Sequence, residues 1–568
     1  MNPLTKGALM LQLVRWALTK ARRDIDYRPS GLGPKFKSAR EAISLIPDGA
    51  VVMSSGMASN MRPTILYFAV RDVFEATGHP AGITWISAGG MGGRGRVPGT
   101  VEEVAQPGLC TRFISGHLET ARAMLKGGAE GRIELHVLPQ GQVILAAEAQ
   151  GRGEPSILSD VGIGTFQDPR VGPGSVLTPN ARENLVEVEG DRLRYRLPPI
   201  TATCVLATEA DPEGNIYMKR ASLYTEVREA VLAAKANGGV SIITVTDVIP
   251  KDEKAIFIPA DQVDAIVVCP RNEQTLTVPQ KKAWPMFLPG SQVDVHEAME
   301  KLDFFNHLLK LDPVRGPVEN AMARSAAAWF ARIGHPGMKA INGYGLPVVV
   351  GRFADVGGLT REVTFLIETG AYGGVPAPGL FFGTAINPHH LVTSAEMFRY
   401  CRENLDVTVL GMLQVDSQGN VNVSRKSQDI REYVGPGGFI DLVTSAKNIL
   451  FVGAFQARSR MVVEGDRIRM TQAGIPKFVE KVDEVTFYGP AALAAGKKVL
   501  YVTPVGTFQL TEQGLMLIEV MPGIDVQKDI LAGSRAKILL PPSGEVPVAH
   551  RACVTGQGYR LAFGQGVV

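Results

Sequence analysis

Cysteine is scarce in this 568-residue chain: Cys110, Cys204, Cys269, Cys401 and Cys553 are scattered and never form a C-x-x-C pair. An odd, dispersed set excludes a disulfide framework and the usual zinc sites, and it fits a reducing compartment. Charge of one sign is equally scarce. A net charge of +3, with no basic block interleaved with aromatics, gives no argument for a nucleic-acid partner. No stretch reaches the roughly 18 consecutive apolar residues of a membrane span. A G-x-S-x-G elbow, a Walker A loop and an H-E-x-x-H helix are all missing, which removes the commonest serine hydrolase, nucleotide and zinc peptidase chemistries. His389 and His390 are adjacent, so they cannot share a face as two ligands of one metal would, and no metal site is expected.

Glycine, by contrast, is abundant at 62 residues, and 45% of the chain is hydrophobic. The length allows two or three domains. Short β-branched runs such as "ITWISAGG", "TCVLATEAD", "VSIITVTDV", "EVTFLIETG" and "ILFVGAF" alternate with helical patterns and Gly/Pro turns. They predict α/β layers with buried, largely parallel strands. A Pro-rich aperiodic stretch, "VPQKKAWPMFLPGS", followed by the helical "VHEAMEKLDFFNHLLKL", predicts a linker over 278–318. It would separate domains at 38–277 and 319–535, with an N-terminal extension over 1–37 and a tail over 536–568. The extension is basic and amphipathic, with Leu9, Leu13 and Trp16 at helical spacing. That face predicts a helix packed on its own protein or a sister subunit, with a mitochondrial presequence or a surface-binding helix as the competing readings.

The two halves resemble each other. "TWISAGGMGG" (84–93) aligns with "TFLIETGAYGG" (364–374), and "ATEADPEGNIYM" (207–218) with "LQVDSQGNVNV" (413–423). Each D-x-x-G-N is an Asx-type turn leaving a strand. An Ala-Lys segment and another apolar strand follow in both. From Thr84 to Asp211 is 127 positions against 52 from Thr364 to Asp416, so the first copy would carry an insertion.

Within this alignment Glu368 stands where the first copy has Ala88. It should lie at the C-terminal end of a strand, where open α/β sheets place ligands. Gly370, Gly373 and Gly374 leave little bulk beside it. Two readings stand: a chemically active carboxylate, or a glutamate that caps a turn or pairs with Arg361. "GGMGGRG" contains G-x-G-x-x-G as Gly90, Gly92 and Gly95, but a proline and a glycine fall where a dinucleotide helix should run. A better use for such a loop is a set of backbone donors facing an oxyanion or a coenzyme chain. "VGPGGFIDL", with Gly435, Gly437 and Gly438, leads into a predicted helix and reads as an anion site or a plain turn. Gln140 in "LPQG" reads as a polar group at a strand end or an exposed loop amide.

Taken in order, "SGMASNMRP", "SAGGMGGRG", "LPQG", "VGIGTFQDPRVGPG", "DPEGN", "IETGAYGGVPAPGLFFG", "GPGGFIDLVTSAKNILFVGAF" and "LIEVMPGIDVQKDIL" give the chain a resemblance, over roughly residues 38–535, to family I coenzyme A transferases. The match is strongest to their single-chain acetate and propionate branch. The resemblance implies two similar open α/β domains joined by a linker, with the active site between them. It implies Glu368, in the E-x-G motif, as nucleophile, and Gly437, Gly438, Gly56 and Gln140 in the oxyanion and coenzyme pocket. Short-chain acyl-CoA and carboxylates would be the substrates. No cofactor would be needed, since coenzyme A enters as a substrate thioester. A homodimer or homotetramer is implied, in the cytoplasm, or in the mitochondrial matrix if the basic N-terminus is a presequence. An acyl-CoA hydrolase using the same glutamate and a non-catalytic CoA-binding protein are the alternatives. "SGMASNMRP" departs from the family's G-x-x-G-x-P-E loop, lacking its middle glycine and final glutamate, so the resemblance leaves the acyl specificity open. The first 37 residues have no counterpart in it.

Overall fold

Two eight-stranded sheets organise the chain in a computed structural model that describes residues 3–19, 23–93, 97–310 and 313–568. Gly95 lies outside the described residues. The first sheet is built from β1 (Phe36–Lys37), β2 (Val51–Ser54), β3 (Ile83–Ser87), β4 (Cys110–Ser115), β5 (Glu134–Val137), β6 (Ala202–Leu206), β7 (Val240–Val245) and β8 (Ala265–Val268). Their order is β1-β8-β7-β6-β2-β3-β4-β5, parallel throughout. Successive side chains take opposite faces. Trp85, Phe113 and Ile242 enter one apolar cluster, and Ile86, Ile114 and Ile243 enter another. Both faces are therefore covered, which is why these strands read as continuous apolar runs.

The second sheet comprises β9 (Lys339–Asn342), β10 (Thr364–Phe365), β11 (Val407–Gly411), β12 (Asn448–Val452), β13 (Lys498–Val502), β14 (Gly506–Thr511), β15 (Gly514–Val520) and β16 (Ile538–Leu539). It runs β10-β9-β11-β12-β13-β14-β15-β16, parallel from β10 to β13 and antiparallel across the β13-β14-β15 turns. The five-strand order β3-β2-β6-β7-β8 in the first unit thus repeats as β10-β9-β11-β12-β13 in the second. The first unit's extra chain adds β4 and β5 beyond β3. The shared Asx turns are equally alike. Asp211 Oδ1 accepts from the amides of Glu213, Gly214 and Asn215 at 2.9–3.0 Å. Asp416 Oδ1 accepts from Gln418 and Asn420 at 3.0 Å.

The helices that bear on the site are α1 (Pro3–Thr19), α2 (Thr64–Thr77), α3 (Gln140–Gly151), α4 (Val227–Ala236), α5 (Val295–Leu308), α6 (Pro317–Ile333), α7 (Leu346–Val356), α8 (Ser394–Asn404) and α9 (Phe439–Ser445). The stretch 278–318 is more than a tether. Val278, Trp284, Met286, Phe287, Leu302 and Phe305 form a small core of their own with Phe381, and Leu9 and Leu13 of α1 pack onto it. Gln12 Nε2 donates to Thr277 O at 2.7 Å, pinning the helix along that core. Helix α5 starts at Asp294, whose side chain accepts from Glu297 N at 2.8 Å. No described helix is long and apolar enough to cross a membrane.

Candidate active site

Glu368 sits just past a very short strand. Its counterpart β3 is flanked by β2 and β4, whereas β10 is an edge strand paired only with β9, so the chain leaves the sheet after Phe365. Leu366 N still donates to Ala340 O at 2.9 Å, and the backbone then turns: Gly370 N donates to Ile367 O, and Val392 N to Gly370 O, both at 2.9 Å. The Thr369 hydroxyl donates to Gly383 O. These bonds hold Glu368 over a cavity of about 740 Å³ whose walls come from both units and the linker. The carboxylate is buried, 7% exposed, and among the described residues it has no ion-pair partner. The Arg361-pair reading therefore does not describe it. Burial pushes its carboxyl above the usual carboxylate range.

Across the cavity the Val434–Gly438 loop enters α9. Its position is set by the first unit: Leu118 N donates to Val434 O at 2.8 Å, Gly437 N to Gly116 O at 2.7 Å, and Gln140 N to Gly437 O at 2.8 Å. Asp441 of α9 clamps the start of α3, accepting from Gly141 N at 3.0 Å and Gln142 Nε2 at 2.7 Å. Burial, offset by those bonds, brings its carboxyl to about 7. The wall opposite Glu368 is thus braced by hydrogen bonds between the units. Among the described residues Gly438 N has no backbone acceptor outside the helix, and a side chain there would come within 3.9 Å of Glu368 Cγ. Gln140 is buried at 3% exposure and lines the cavity, with no hydrogen bond from its carboxamide among the described residues.

The structure distributes the sequence-predicted positions unevenly. Glu368, Gln140, Gly90, Gly92, Gly435, Gly437 and Gly438 all line the cavity. Gly437 contributes shape and a carbonyl rather than a donor, because its N–H is taken by Gly116. Gly56 does not line the cavity: its amide faces the buried Glu226, whose carboxyl burial raises to about 8, and the wall is made by the residues after it, Met57, Ala58, Ser59 and Arg62. Gly370, Gly373 and Gly374 shape the turns behind Glu368 without touching the cavity. His389 and His390 are exposed, and among the described residues no His/Cys/Asp/Glu group could hold a metal.

Sequence reasoning missed other lining residues. Trp16 comes from α1, Arg62 precedes α2, and Lys426 and Lys477 lie on second-unit loops. Trp16 did carry a signal, since it completes the buried face of α1. Arg62 carried one too, as a lone charge in an otherwise uncharged loop.

The coenzyme A transferase family model matches residues 36–268. Caffeate CoA-transferase of Acetobacterium woodii is 31% identical over 518 residues, covering 88% of this chain and 93% of that protein. Acetate CoA-transferase YdiF of Escherichia coli K12 is 31% identical over 506 residues, covering 87% of this chain and 90% of its own length. The crystal structure of the acyl-CoA transferase YdiF apoenzyme from Escherichia coli O157:H7 superposes with a TM-score of 0.82 at 27% identity, covering 94% of this chain and 99% of that one. YdiF in its thioester complex with CoA gives 0.80 at 27% identity, with coverage of 95% and 99%. With sheet order, site geometry and full-length similarity in agreement, the chain belongs to the coenzyme A transferase family and is a CoA-transferase.

Proposed function

We propose that this enzyme moves CoA between carboxylic acids by ping-pong chemistry through a glutamyl-CoA thioester on Glu368. The observation that carries this reading is a buried carboxylate without a counter-ion, facing a braced glycine loop across one cavity. A Glu368 oxygen attacks the thioester carbon of acyl-CoA, the C–S bond breaks, and an acyl-glutamyl anhydride and CoA thiolate result. The thiolate then attacks Glu368 Cδ, expelling the donor acid and leaving the glutamyl-CoA thioester. An acceptor carboxylate reverses the two steps and regenerates Glu368. Each step exchanges one activated carbonyl for another, so the bonds balance without ATP, redox partner or metal.

Each attack builds an oxyanion. Gly438 N–H and the Gln140 carboxamide are the donors best placed to meet it, and a fixed donor in a site that excludes water contributes about 3–4 kcal/mol in other acyl-transfer enzymes. The hydrogen bonds that brace the loop across the two units keep those donors from relaxing toward water. Burial also protects the anhydride from hydrolysis.

The direct test is intact-protein mass after brief incubation with a short acyl-CoA and no acceptor. The expected result is a gain of one CoA less one water on wild type only, absent from Glu368→Ala. Steady release of free CoA with no adduct would instead make the enzyme a hydrolase.

A pH dependence follows from the raised Glu368 pKa. Attack needs the ionised form, so adduct formation should climb about tenfold per pH unit until it passes through the raised pKa, then level off. Stability runs the other way. The folded protein holds the Glu368 proton more tightly than the unfolded chain, so this group's contribution is present below the unfolded value of about 4.3 and is lost as pH rises through the folded pKa. Glu368→Gln should therefore melt higher than wild type at pH 8, with the gap closing at pH 4; equal melting temperatures at pH 8 would contradict this.

A further inference from the structure

Arg62 is a buried cation, 4% exposed, on the wall of the same cavity as Glu368. Its one hydrogen bond among the described residues is weak, from Nε to Thr64 Oγ1 at 3.4 Å, and no carboxylate lies within ion-pair distance. The acidic group that acts on it is Glu273, from farther out. Glu273 is already engaged: its Oε1 accepts from Trp16 Nε1 and from Arg23, each at 3.0 Å. Two guanidinium groups thus share one buried carboxylate. A buried charge without a partner is expensive unless a ligand supplies the counter-charge.

The surroundings say what kind of ligand. The cavity that Arg62 lines is also walled by Trp16 of α1, Met57, Leu276, Tyr344 and Leu380, an apolar lining brought by five separate segments. The two units are stitched together here, with Ser59 Oγ donating to Leu380 O at 3.0 Å and Asn60 Nδ2 to Phe382 O at 2.9 Å. Lys426 and Lys477 supply cations to the cavity from second-unit loops, and Lys426, paired with Glu119, is 43% exposed, so phosphates of a coenzyme have an accessible cation other than buried Arg62. At about 740 Å³ the cavity is in the range that holds drug-sized ligands.

We propose that Arg62 binds a second carboxylate, at the far end of the acyl chain, so that the preferred acid is a dicarboxylic acid with an apolar spacer lying against Trp16, Met57 and Leu380. This rests on the CoA-transferase reading of Glu368 and adds the substrate class to it. A guanidinium fork meets a carboxylate with two parallel hydrogen bonds, an arrangement that a monocarboxylate's methyl end leaves empty.

The test offers wild-type enzyme acetyl-CoA as donor and straight-chain mono- and dicarboxylates of four to eight carbons as acceptors. At one or more lengths the dicarboxylate should exceed its monocarboxylate partner in kcat/KM by about 10- to 100-fold, the effect of a hydrogen bond to a charged group. Arg62→Met should raise KM for the dicarboxylate, leave KM for acetyl-CoA unchanged, and reverse the preference; Arg62→Lys should keep part of it. Monocarboxylates preferred at every length by an actively transferring wild type would overturn the proposal and leave the transferase reading standing. That comparison decides the matter even if Arg62→Met fails to fold. A rise in KM for acetyl-CoA rather than for the acid would assign Arg62 to the coenzyme and overturn it too. No transfer to any acid, with no CoA adduct on Glu368, would overturn both.

Discussion

Glu368→Ala should lower CoA transfer by about 10⁵-fold or more, the scale on which removal of a nucleophile acts when binding and oxyanion groups are left in place. The variant should still fold. The first unit carries Ala88 at the equivalent point of an equivalent strand, so the architecture does not need a carboxylate there. Nor does the side chain hold anything together, since among the described residues it is buried without an ion-pair partner. Removing it deletes a desolvated charge and a few methylene contacts. The measurement is exchange of a labelled acid into acyl-CoA, run beside a thermal melt. A folded variant with near-normal exchange would exclude Glu368 as the nucleophile. Arg361→Ala, at an exposed position of the segment that leads into Glu368, should behave like wild type in the same assay.

The carboxylate could be found from sequence because its surroundings are local. A strand, a glutamate and a run of glycines lie consecutively, and the second copy supplies an internal control. The duplication was legible for a similar reason. Asp211 and Asp416 each organise a turn with backbone amides two to four residues on, which fixes D-x-x-G-N as a recognisable string. What lay hidden depends on contacts between distant segments. The stretch 278–318 looks like a spacer because Trp284, Met286 and Phe287 follow no period, yet Trp284 packs on Phe305 of α5 and on Phe381, Phe287 packs on Phe381, and Met286 joins the same core. Glycine strings also do not reveal where each amide points. Gly437 and Gly438 are adjacent and look interchangeable, but the first donates to Gly116 and the second has no backbone acceptor among the described residues outside the helix. Gly56 sits in a conspicuous loop, but its amide turns to Glu226, and it is Met57, Ala58, Ser59 and Arg62 that line the cavity.

Gly370→Ala is expected to be severely damaging, through the turn that carries Glu368. The residue has φ +112°, a region that side-chain-bearing residues rarely enter. A Cβ built on it would lie 1.9 Å from Val392 O, well inside any tolerable contact. The neighbour cannot retreat cheaply, because Val392 N donates back to Gly370 O and Thr393, next along, caps α8 by accepting from Glu396 N at 3.3 Å. Backbone strain of about 1–3 kcal/mol and overpacking of about 1–3 kcal/mol then add, giving a loss of roughly 2–6 kcal/mol. In a unit of this size each kcal/mol lowers the melting temperature by about 2–4 °C, so a fall of roughly 5–20 °C should be seen by calorimetry. Activity should fall further than stability, since the only relief open to the chain is to move the turn that carries Glu368. Gly437→Ala provides the contrast. Its φ is +53°, but a Cβ there meets nothing nearer than Gln140 Oε1 at 4.0 Å, so the methyl is tolerated at about 1–2 kcal/mol. If Gly370→Ala melted no lower than Gly437→Ala, the Val392 contact would not be what fixes the turn, and the rigid placement of Glu368 argued from it would fall.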